Sequence, residues 1–360
     1  MNYRILADSE KPAYLQLYEQ LRSNIVNGIY PYMSKLPSKR LISSECSVSV
    51  VTVEHAYELL CEEGYVEARE RSGFYVLFRE GDGFSLPQED YAALRRPPTH
   101  PEISQDFPFS LIAKSMRRVL SEYAEAILIK SPNCGCDELR LAISRYLARS
   151  RGILAAPNQI VVGSGAEYLY GLIVEMLGND RIYGIEDPSY EKIEKVYQAR
   201  GVHCEGLPLG QDGIESTALA ESRASVLHIT PFRSYPSGVT ATASKRREYL
   251  RWSSASDRFI VEDDFESEFT VSRKPEETVF SLSNGENVIY LNTFSRTISP
   301  SIRVGYMVLP KPLVSKFEEN VGFYSCTVPA FVQYLLADLI NRGDFERHIN
   351  RVRRAKRRLL

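Results

Sequence analysis

Short apolar segments alternate with helical patterns beyond residue 106 of this 360-residue chain, and this alternation restricts the fold more than any other feature. Strands separated by helices form a mainly parallel sheet that helices cover on both faces. The sequence therefore predicts a three-layer αβα architecture, with ligands at the carboxyl ends of the strands. The predicted strands are residues 159–163, 181–185, 225–229, 258–261, 288–291 and 306–309.

The first 78 residues have a different pattern. Apolar side chains recur at helical spacing from Tyr14 to Asn27, and two further helices are predicted, one capped by Ser38 and one over 49–60. Two short strands, 65–67 and 74–77, complete the segment. Three helices and a hairpin predict a winged helix-turn-helix, whose third helix enters the major groove of DNA while the hairpin, or wing, reaches the backbone.

Composition narrows the class of protein. The chain is 44% hydrophobic and 25% charged, which is typical of a soluble globular protein, and no segment approaches the roughly 20 apolar residues that span a bilayer. Without a secretory signal, a cytoplasmic location is expected. The six scattered cysteines lack the spacing of a metal site, so no metal is expected. A net charge of −2 gives DNA binding no support, so that prediction depends on motifs.

The length favours two domains. Residues 79–105 are rich in proline, glycine and charge, which predicts a linker. We therefore divide the chain into a winged helix at 1–78, this linker, a large α/β domain at 106–310 and a helical segment at 311–360. The basic run 351–358 is interpreted as one face of a helix.

Three motifs follow predicted strands. Gly163-Ser164-Gly165-Ala166-Glu167 opens a helix with small residues, which is a pattern that binds anions. Residues 262–269 are acidic, and a carboxylate there either holds a protonated ring nitrogen or caps local amides. Residues 292–306 combine hydroxyls with an arginine, which suits a phosphate.

The N-terminal motifs resemble those of the GntR family of bacterial regulators. The resemblance is carried by Leu-Pro-Ser-Lys-Arg at 36–40, Val-Ser-Val-Val-Thr-Val at 48–53, and residues 56–60, 63–65 and 72–76. It implies DNA contacts from the start of the second helix, the recognition helix and the wing. Carried over by position, the contacting residues are Ser38, Lys39, Arg40, Ser49, Thr52, Arg69 and Arg71.

Two residues depart from the GntR pattern. Val50 stands where the family often has arginine, and Glu54 stands where a basic residue is common. A carboxylate near phosphate is repelled, so both changes weaken the expected contact with DNA. A winged helix that mediates only protein contacts is the alternative.

The rest of the chain resembles the fold-type I pyridoxal-phosphate domain of MocR-type regulators, a GntR subgroup. Matching segments are 106–109, Gly135 with 139–140, 187–190, 230–231 with 236–240, and the run from 292 to Arg303. The resemblance implies a homodimer that senses the cofactor, or the cofactor with a small amine or amino acid, and controls transcription at a double-stranded operator. It implies phosphate contacts from Ser164, Gly165, Ala166, Ser295 and Arg303, stacking by Tyr190, and pairing of Asp263 with the pyridine nitrogen.

The residue expected to bind the cofactor covalently is replaced. The family has a lysine in Thr-Phe-Ser-Lys-Thr, whereas this chain has Arg296 within Thr-Phe-Ser-Arg-Thr at 293–297. A Schiff base needs a neutral primary amine, and a guanidinium stays protonated with a pKa above about 12. No catalytic residue is therefore predicted, and pyridoxal phosphate is expected to bind without a covalent link or to be replaced by another anion.

Other family positions have also changed. Phe265 replaces a tyrosine that would contact the phenolic oxygen of the cofactor, residues 232–235 lack the expected polar groups, and Ile129 replaces a phosphate-binding tyrosine. Since the sequence stops at Leu360, the small C-terminal domain of an aminotransferase is expected to be incomplete.

Three functions remain open on this basis. The chain is a DNA-binding regulator with a non-catalytic effector domain, a shortened and poorly functional regulator fragment, or a working aminotransferase. Arg296 is expected to reach the phosphate or to pair with Asp263 in a buried bridge.

Overall fold

Three helices and a two-stranded antiparallel sheet form the N-terminal part of the computed structural model. The structure describes residues 3–6, 9, 11–70, 72–79, 107–255, 257–265, 267–269, 277–283 and 285–358. The chain divides into two compact units, Met1–Thr99 and His100–Leu360. Arg71 and, apart from Arg79, the predicted linker lie outside the described residues, so the domain boundaries remain predictions.

The N-terminal unit is the predicted winged helix-turn-helix. Its helices are α1 (Ala13–Val26), α2 (Lys39–Cys46) and α3 (Val50–Glu62), and its strands are β1 (Val66–Arg69) and β2 (Gly73–Val76). The strands were predicted at 65–67 and 74–77, so their bounds differ by one or two residues. Buried side chains from all three helices and both strands form one core, including Leu17, Leu21, Ile42, Val53, Leu60, Val66 and Val76.

An eight-stranded sheet forms the centre of the C-terminal unit, in the order β3-β10-β9-β8-β7-β4-β5-β6. Its strands are parallel except that β10 runs antiparallel to β3 and β9, and β6 pairs antiparallel with β5. The predicted mainly parallel sheet is thus confirmed. Its strands are β3 (Ile160–Gly163), β4 (Ile182–Asp187), β5 (His203–Gly210), β6 (Gly213–Ile214), β7 (Val226–Ile229), β8 (Phe259–Asp263), β9 (Val288–Thr293) and β10 (Gly305–Val308).

Two strands were missed by the sequence prediction. β5 consists of His-Cys-Glu-Gly-Leu-Pro-Leu-Gly, which lacks the apolar run of the other strands, and β6 has only two residues. β5 lies near the edge of the sheet and is half exposed along most of its length, so it needs no continuous apolar sequence.

Helices cover both faces of the sheet. Ile160 and Val162 pack into one buried cluster, whereas Val161 between them packs into another. Successive strand residues point to opposite faces, so the two clusters are the two interfaces of a three-layer fold. The helices are α4 (Phe109–Tyr123), α5 (Asp137–Arg151), α6 (Ala166–Leu177), α7 (Glu191–Gln198), α8 (Ser216–Glu221), α9 (Ala243–Ser253), α10 (Val279–Leu282), α11 (Lys311–Asn320), α12 (Ala330–Asn341) and α13 (Asp344–Arg357).

The basic run at 351–358 lies largely within α13, as interpreted from the sequence. One face of α13 buries Phe345, Ile349 and Val352, and most of the arginines lie on the exposed side. In the described ranges, no helix combines the length and apolar character needed to cross a bilayer.

Candidate functional site

A cavity of about 370 Å³ opens at the carboxyl ends of strands β8 and β9. The starts of α6 and α7 and the segments that follow β7, β8 and β9 supply its walls. This position is the one predicted for a ligand in a sheet of this kind. The lining residues are Ala166, Glu167, Tyr170, Tyr190, Lys192, Ile193, Tyr235, Asp263, Phe265, Thr293, Ser295, Arg296 and Arg303.

Five of the seven residues predicted to bind a cofactor line this cavity: Ala166, Tyr190, Asp263, Ser295 and Arg303. The other two, Ser164 and Gly165, lie just before α6 and are not among its lining residues. The backbone N–H of Ser164 donates to the hydroxyl of Thr327, at 3.2 Å.

Gly165 leaves room for the arginine of the cavity. It is the N-cap of α6 and has φ of 101°, a conformation that favours glycine. A Cβ at this position would lie 3.2 Å from a guanidinium nitrogen of Arg303. Glycine therefore allows Arg303 to lie against the N-terminus of α6, where a cation and backbone N–H groups together favour an anion.

The carboxylate of Asp263 lies in a buried network that the sequence did not reveal. Its Oδ2 accepts a hydrogen bond from the hydroxyl of Tyr170 and lies 3.7 Å from Nε2 of His228. Nδ1 of His228 is in turn hydrogen-bonded to the hydroxyl of Tyr197, at 2.7 Å. Burial raises the pKa of both tyrosines well above 10.0, so their hydroxyls stay protonated.

Two buried polar atoms of the cavity residues lack hydrogen-bond partners among the described residues. They are Oδ1 of Asp263 and Oγ of Ser295. An unsatisfied buried acceptor is unfavourable unless a ligand completes it. A protonated pyridine nitrogen suits the carboxylate, and a phosphate suits a hydroxyl beside Arg303. The residues present therefore fit pyridoxal phosphate at both ends of the molecule.

Lys192 is the one lysine among the lining residues, and it was not among the site residues predicted from the sequence. It is 57% exposed, and its Nζ lies 3.1 Å from the carboxylate of Glu167. The hydrogen bond to Glu167 raises the pKa of Lys192, so the amine is protonated and a poor nucleophile. Arg303 also lies near Glu167, at 3.4 Å.

Arg296 lies three residues after the end of β9, lines the cavity and is exposed. The contact of Arg296 with a phosphate or with Asp263 stays a prediction. Phe265 lines the same cavity and has no hydroxyl to donate. Ser234, within the altered segment 232–235, is buried and donates to Glu186 at 2.6 Å. Ile129 is 69% exposed on a surface of the unit.

In the N-terminal unit, several residues predicted to contact DNA already have partners within the protein. The hydroxyls of Ser38 and Ser49 accept hydrogen bonds from the backbone N–H groups of Leu41 and Thr52, at 3.2 and 3.1 Å, and so cap α2 and α3. The hydroxyls of Ser49 and Thr52 also share a hydrogen bond of 2.8 Å. Such caps fix the start of the recognition helix.

The predicted basic contacts differ in their surroundings. Lys39 is ion-paired with Glu54. The pair neutralises the carboxylate that was expected to weaken the contact with DNA. Arg69 is ion-paired with Glu67 and lies 4.4 Å from the ring of Tyr75. Arg40 is exposed.

Among the described residues, no group of three or more His, Cys, Asp or Glu side chains is placed to hold a metal ion.

Comparison with solved structures places the C-terminal unit among aminotransferases. An archaeal alanine:glyoxylate aminotransferase matches 67% of this chain with a TM-score of 0.62 and 22% identity. The kynurenine aminotransferase of Pyrococcus horikoshii matches 69% with a TM-score of 0.63 and 26% identity. The chain covers 62% and 64% of these two proteins, respectively.

Sequence comparison extends the similarity over nearly the whole chain. Residues 13–76 match the gntR family of bacterial regulatory proteins, and residues 105–359 match aminotransferase class I and II. The uncharacterized HTH-type transcriptional regulator YdeL of Bacillus subtilis is 32% identical over 96% of this chain and 77% of its own length. The probable rhizopine catabolism regulatory protein MocR of Rhizobium meliloti is 30% identical over 96% and 75%.

A third relative is the pyridoxine biosynthesis regulator PdxR of Corynebacterium glutamicum, 29% identical over 95% of this chain and 76% of its own. The chain belongs to the HTH-type transcriptional regulators of the MocR type, which join a gntR-family helix-turn-helix to an aminotransferase class I and II domain.

Proposed function

We propose that this regulator binds a double-stranded DNA operator through α2, α3 and the wing, and that its aminotransferase-like unit senses an effector without catalysis. The observation that carries the proposal is Arg296 in the cavity at the end of β9. A guanidinium cannot form the covalent link to pyridoxal phosphate that a lysine forms. The one primary amine among the lining residues, on Lys192, is held protonated by Glu167.

The cavity nevertheless retains the groups that would hold pyridoxal phosphate without a covalent link. Asp263 would pair with the ring nitrogen, Tyr190 would stack on the ring, and Ser295 and Arg303 would bind the phosphate at the start of α6. When bound, the cofactor supplies an aldehyde and an electron-withdrawing ring to small amines and amino acids. The chain's own residues bind and orient the ligand, and the Tyr170 hydroxyl donates a hydrogen bond to the Asp263 carboxylate.

The surface of the C-terminal unit supports a homodimer. Large apolar side chains are exposed on α4, on the short 3₁₀ helix Ala124–Leu128 with the residue after it, and on α12, elements that pack on one another. Exposed apolar side chains concentrated in this way mark an interaction surface. They are Phe109 at 79%, Leu120 at 49%, Leu128 at 82%, Ile129 at 69% and Phe331 at 42% exposure.

Sedimentation tests the dimer. A Leu128→Glu substitution is expected to raise the dissociation constant of the dimer at least about tenfold, because it places a charge in an apolar interface. Leu154→Glu is the control, since Leu154 is 85% exposed on a different segment. A monomeric protein at micromolar concentration, or equal effects of both substitutions, would contradict this assignment.

Gel-shift and footprinting with the full chain and the promoter DNA beside its gene test the regulatory function. Sequence-specific protection is expected, as is a change in affinity when pyridoxal phosphate or an amino acid is added. Indifference to DNA sequence would refute the proposal. Such a regulator acts where the chromosome lies, so we also propose a cytoplasmic location.

The presence of Lys192 in the cavity favours a second candidate function, amine chemistry on that side chain. Borohydride reduction after incubation with pyridoxal phosphate, followed by mass spectrometry of peptides, distinguishes the two. We expect no adduct in the cavity. A reduced adduct on Lys192, with turnover of amino donors, would establish the enzyme instead.

A further inference from the structure

The recognition helix lacks the side chains that most often read bases by hydrogen bonding. Arginine and lysine pair with guanine in the major groove, and asparagine and glutamine pair with adenine. None of these four residue types occurs from Ser49 to Glu62. The helix must therefore distinguish base pairs with other groups.

The polar groups near the start of α3 already have partners. Ser49 and Thr52 share a hydrogen bond and cap the helix, and Glu54 is paired with Lys39. His55, in the second turn, is exposed, and its ring packs against Tyr14, with 4.9 Å between ring centroids. The remaining exposed positions further along α3 include Glu58 and Glu62, whose charge DNA repels. The first turn therefore offers the exposed side chains nearest the N-terminus of α3.

That first turn exposes apolar side chains. Val50 is 42% exposed and Val51 is 70% exposed, although Val53 in the same helix is fully buried. The buried face, formed by Val53, Ala56, Tyr57 and Leu60, fixes α3 to the core and so directs the two valines outward. In a helix-turn-helix, the N-terminal residues of the recognition helix contact base edges.

We propose that Val50 and Val51 read thymine, by packing their methyl groups against the C5-methyl group that thymine presents in the major groove. This inference rests on the proposed function, since it requires the N-terminal unit to bind DNA. Apolar contact is the one form of direct readout that exposed valines can make, and among the four bases only thymine carries a methyl group there. The operator half-site is thus expected to contain thymines opposite the first turn of α3.

Uracil substitution tests this inference. The operator is first defined with the full chain by selection from random duplexes, and each half-site thymine is then replaced singly by uracil. Uracil keeps every hydrogen-bonding group and lacks only the methyl. Loss of one buried methyl contact is expected to weaken binding about fourfold at one or more positions.

A double-substitution cycle assigns the contact to the valines. In Val51→Ala, and separately in Val50→Ala, the fourfold difference between thymine and uracil at the contacted position is expected to disappear. Alanine favours a helix, so neither substitution should unfold α3. Val26→Ala is the matched control, because Val26 is 43% exposed at the end of α1 and should leave the thymine preference unchanged.

The outcomes separate the two proposals. Specific binding that is indifferent to every uracil substitution overturns the reading of thymine and leaves DNA binding intact. A uracil effect that persists in both alanine variants also overturns it, because another group must then contact the methyl. Absence of any sequence preference refutes the proposed function and this inference with it.

Discussion

The hydroxyl of Tyr170, on α6, donates a hydrogen bond to Oδ2 of Asp263 at the end of β8. Both residues are buried, and His228 lies on the adjacent strand, 3.7 Å from the same oxygen. Burial, followed by the nearby carboxylate, raises the pKa of Tyr170 well above 10.0, so its hydroxyl keeps the proton that it donates. The hydroxyl therefore acts as the donor in this hydrogen bond, and the Asp263 carboxylate accepts it within the core.

Removing this hydroxyl is expected to destabilise the C-terminal unit. Tyr170→Phe should lower the free energy of unfolding by about 1.5–3 kcal/mol, because a hydrogen bond to a charged group is lost. Chemical denaturation followed by the fluorescence of Trp252, the single tryptophan, measures this unit alone. Tyr183→Phe is the control. The Tyr183 hydroxyl donates only a long hydrogen bond, of 3.5 Å, to the backbone carbonyl of Gly178, so its removal should cost less. An equal decrease in the free energy of unfolding in both variants would mean that the hydrogen bond to Asp263 stabilises the unit no more than the Tyr183 hydroxyl does.

Arg296→Lys should restore covalent binding of pyridoxal phosphate. The substitution supplies a primary amine beside Ser295, in a cavity that retains Asp263 and Arg303. We expect a yellow protein whose reduced adduct maps to position 296. Lys192→Arg in the same background is the control and should leave the colour intact. A colourless variant with an unchanged circular dichroism spectrum would show that the cavity cannot hold the cofactor.

Glu268 provides a pH-dependent test of the core. Its side chain is buried, with Oε1 accepting a hydrogen bond from Asn292 at 2.7 Å and Oε2 without a partner among the described residues. Burial, and then the nearby carboxylate of Asp264, raise the pKa of Glu268 above 4.5, against the opposing effect of Arg151. The folded protein therefore keeps a proton that the unfolded chain releases.

The stability contributed by this raised pKa is complete below pH 4.5 and is lost as the pH rises through the folded value. Glu268→Gln carries no titrating proton, so its stability should fall less steeply between pH 4.5 and neutrality, by up to about 1.4 kcal/mol per pH unit. Denaturation at a series of pH values measures the slope. Glu221→Gln, at an exposed position at the end of α8, should keep the original slope. An unchanged slope for Glu268→Gln would contradict the assignment.

Local sequence was sufficient to place six strands of the large sheet, with their ends within two residues of those in the structure. Asp263 and Ser295 follow apolar runs that had to be strands, and the carboxyl ends of neighbouring parallel strands converge on one edge. Arg303 required the resemblance as well, since the segment 292–306 also contains Arg296 and only the family pattern assigns the phosphate contact to Arg303.

The supporting groups could not be found in the same way. Tyr170 and Asp263 are 93 residues apart, and their contact depends on how α6 packs against the sheet. His228 lies within a buried strand, where an isolated polar residue was the only available signal. Lys192 lines the cavity because the first residues of α7 lie beside the cavity. Sequence spacing does not reveal which way this helix start points.

The ion pair between Lys39 and Glu54 limits the positive charge available to DNA. Glu54→Gln removes the carboxylate and releases Lys39, at the start of α2, to contact a phosphate. We expect tighter binding to DNA and a logarithmic salt dependence that is steeper by about 0.9, the value for one added phosphate contact. Glu58→Gln, on the exposed face of α3, removes the same charge without releasing a lysine and should leave the slope unchanged. Affinity measured by fluorescence anisotropy over a salt series distinguishes the variants, and equal slopes would show that Lys39 does not reach the DNA backbone.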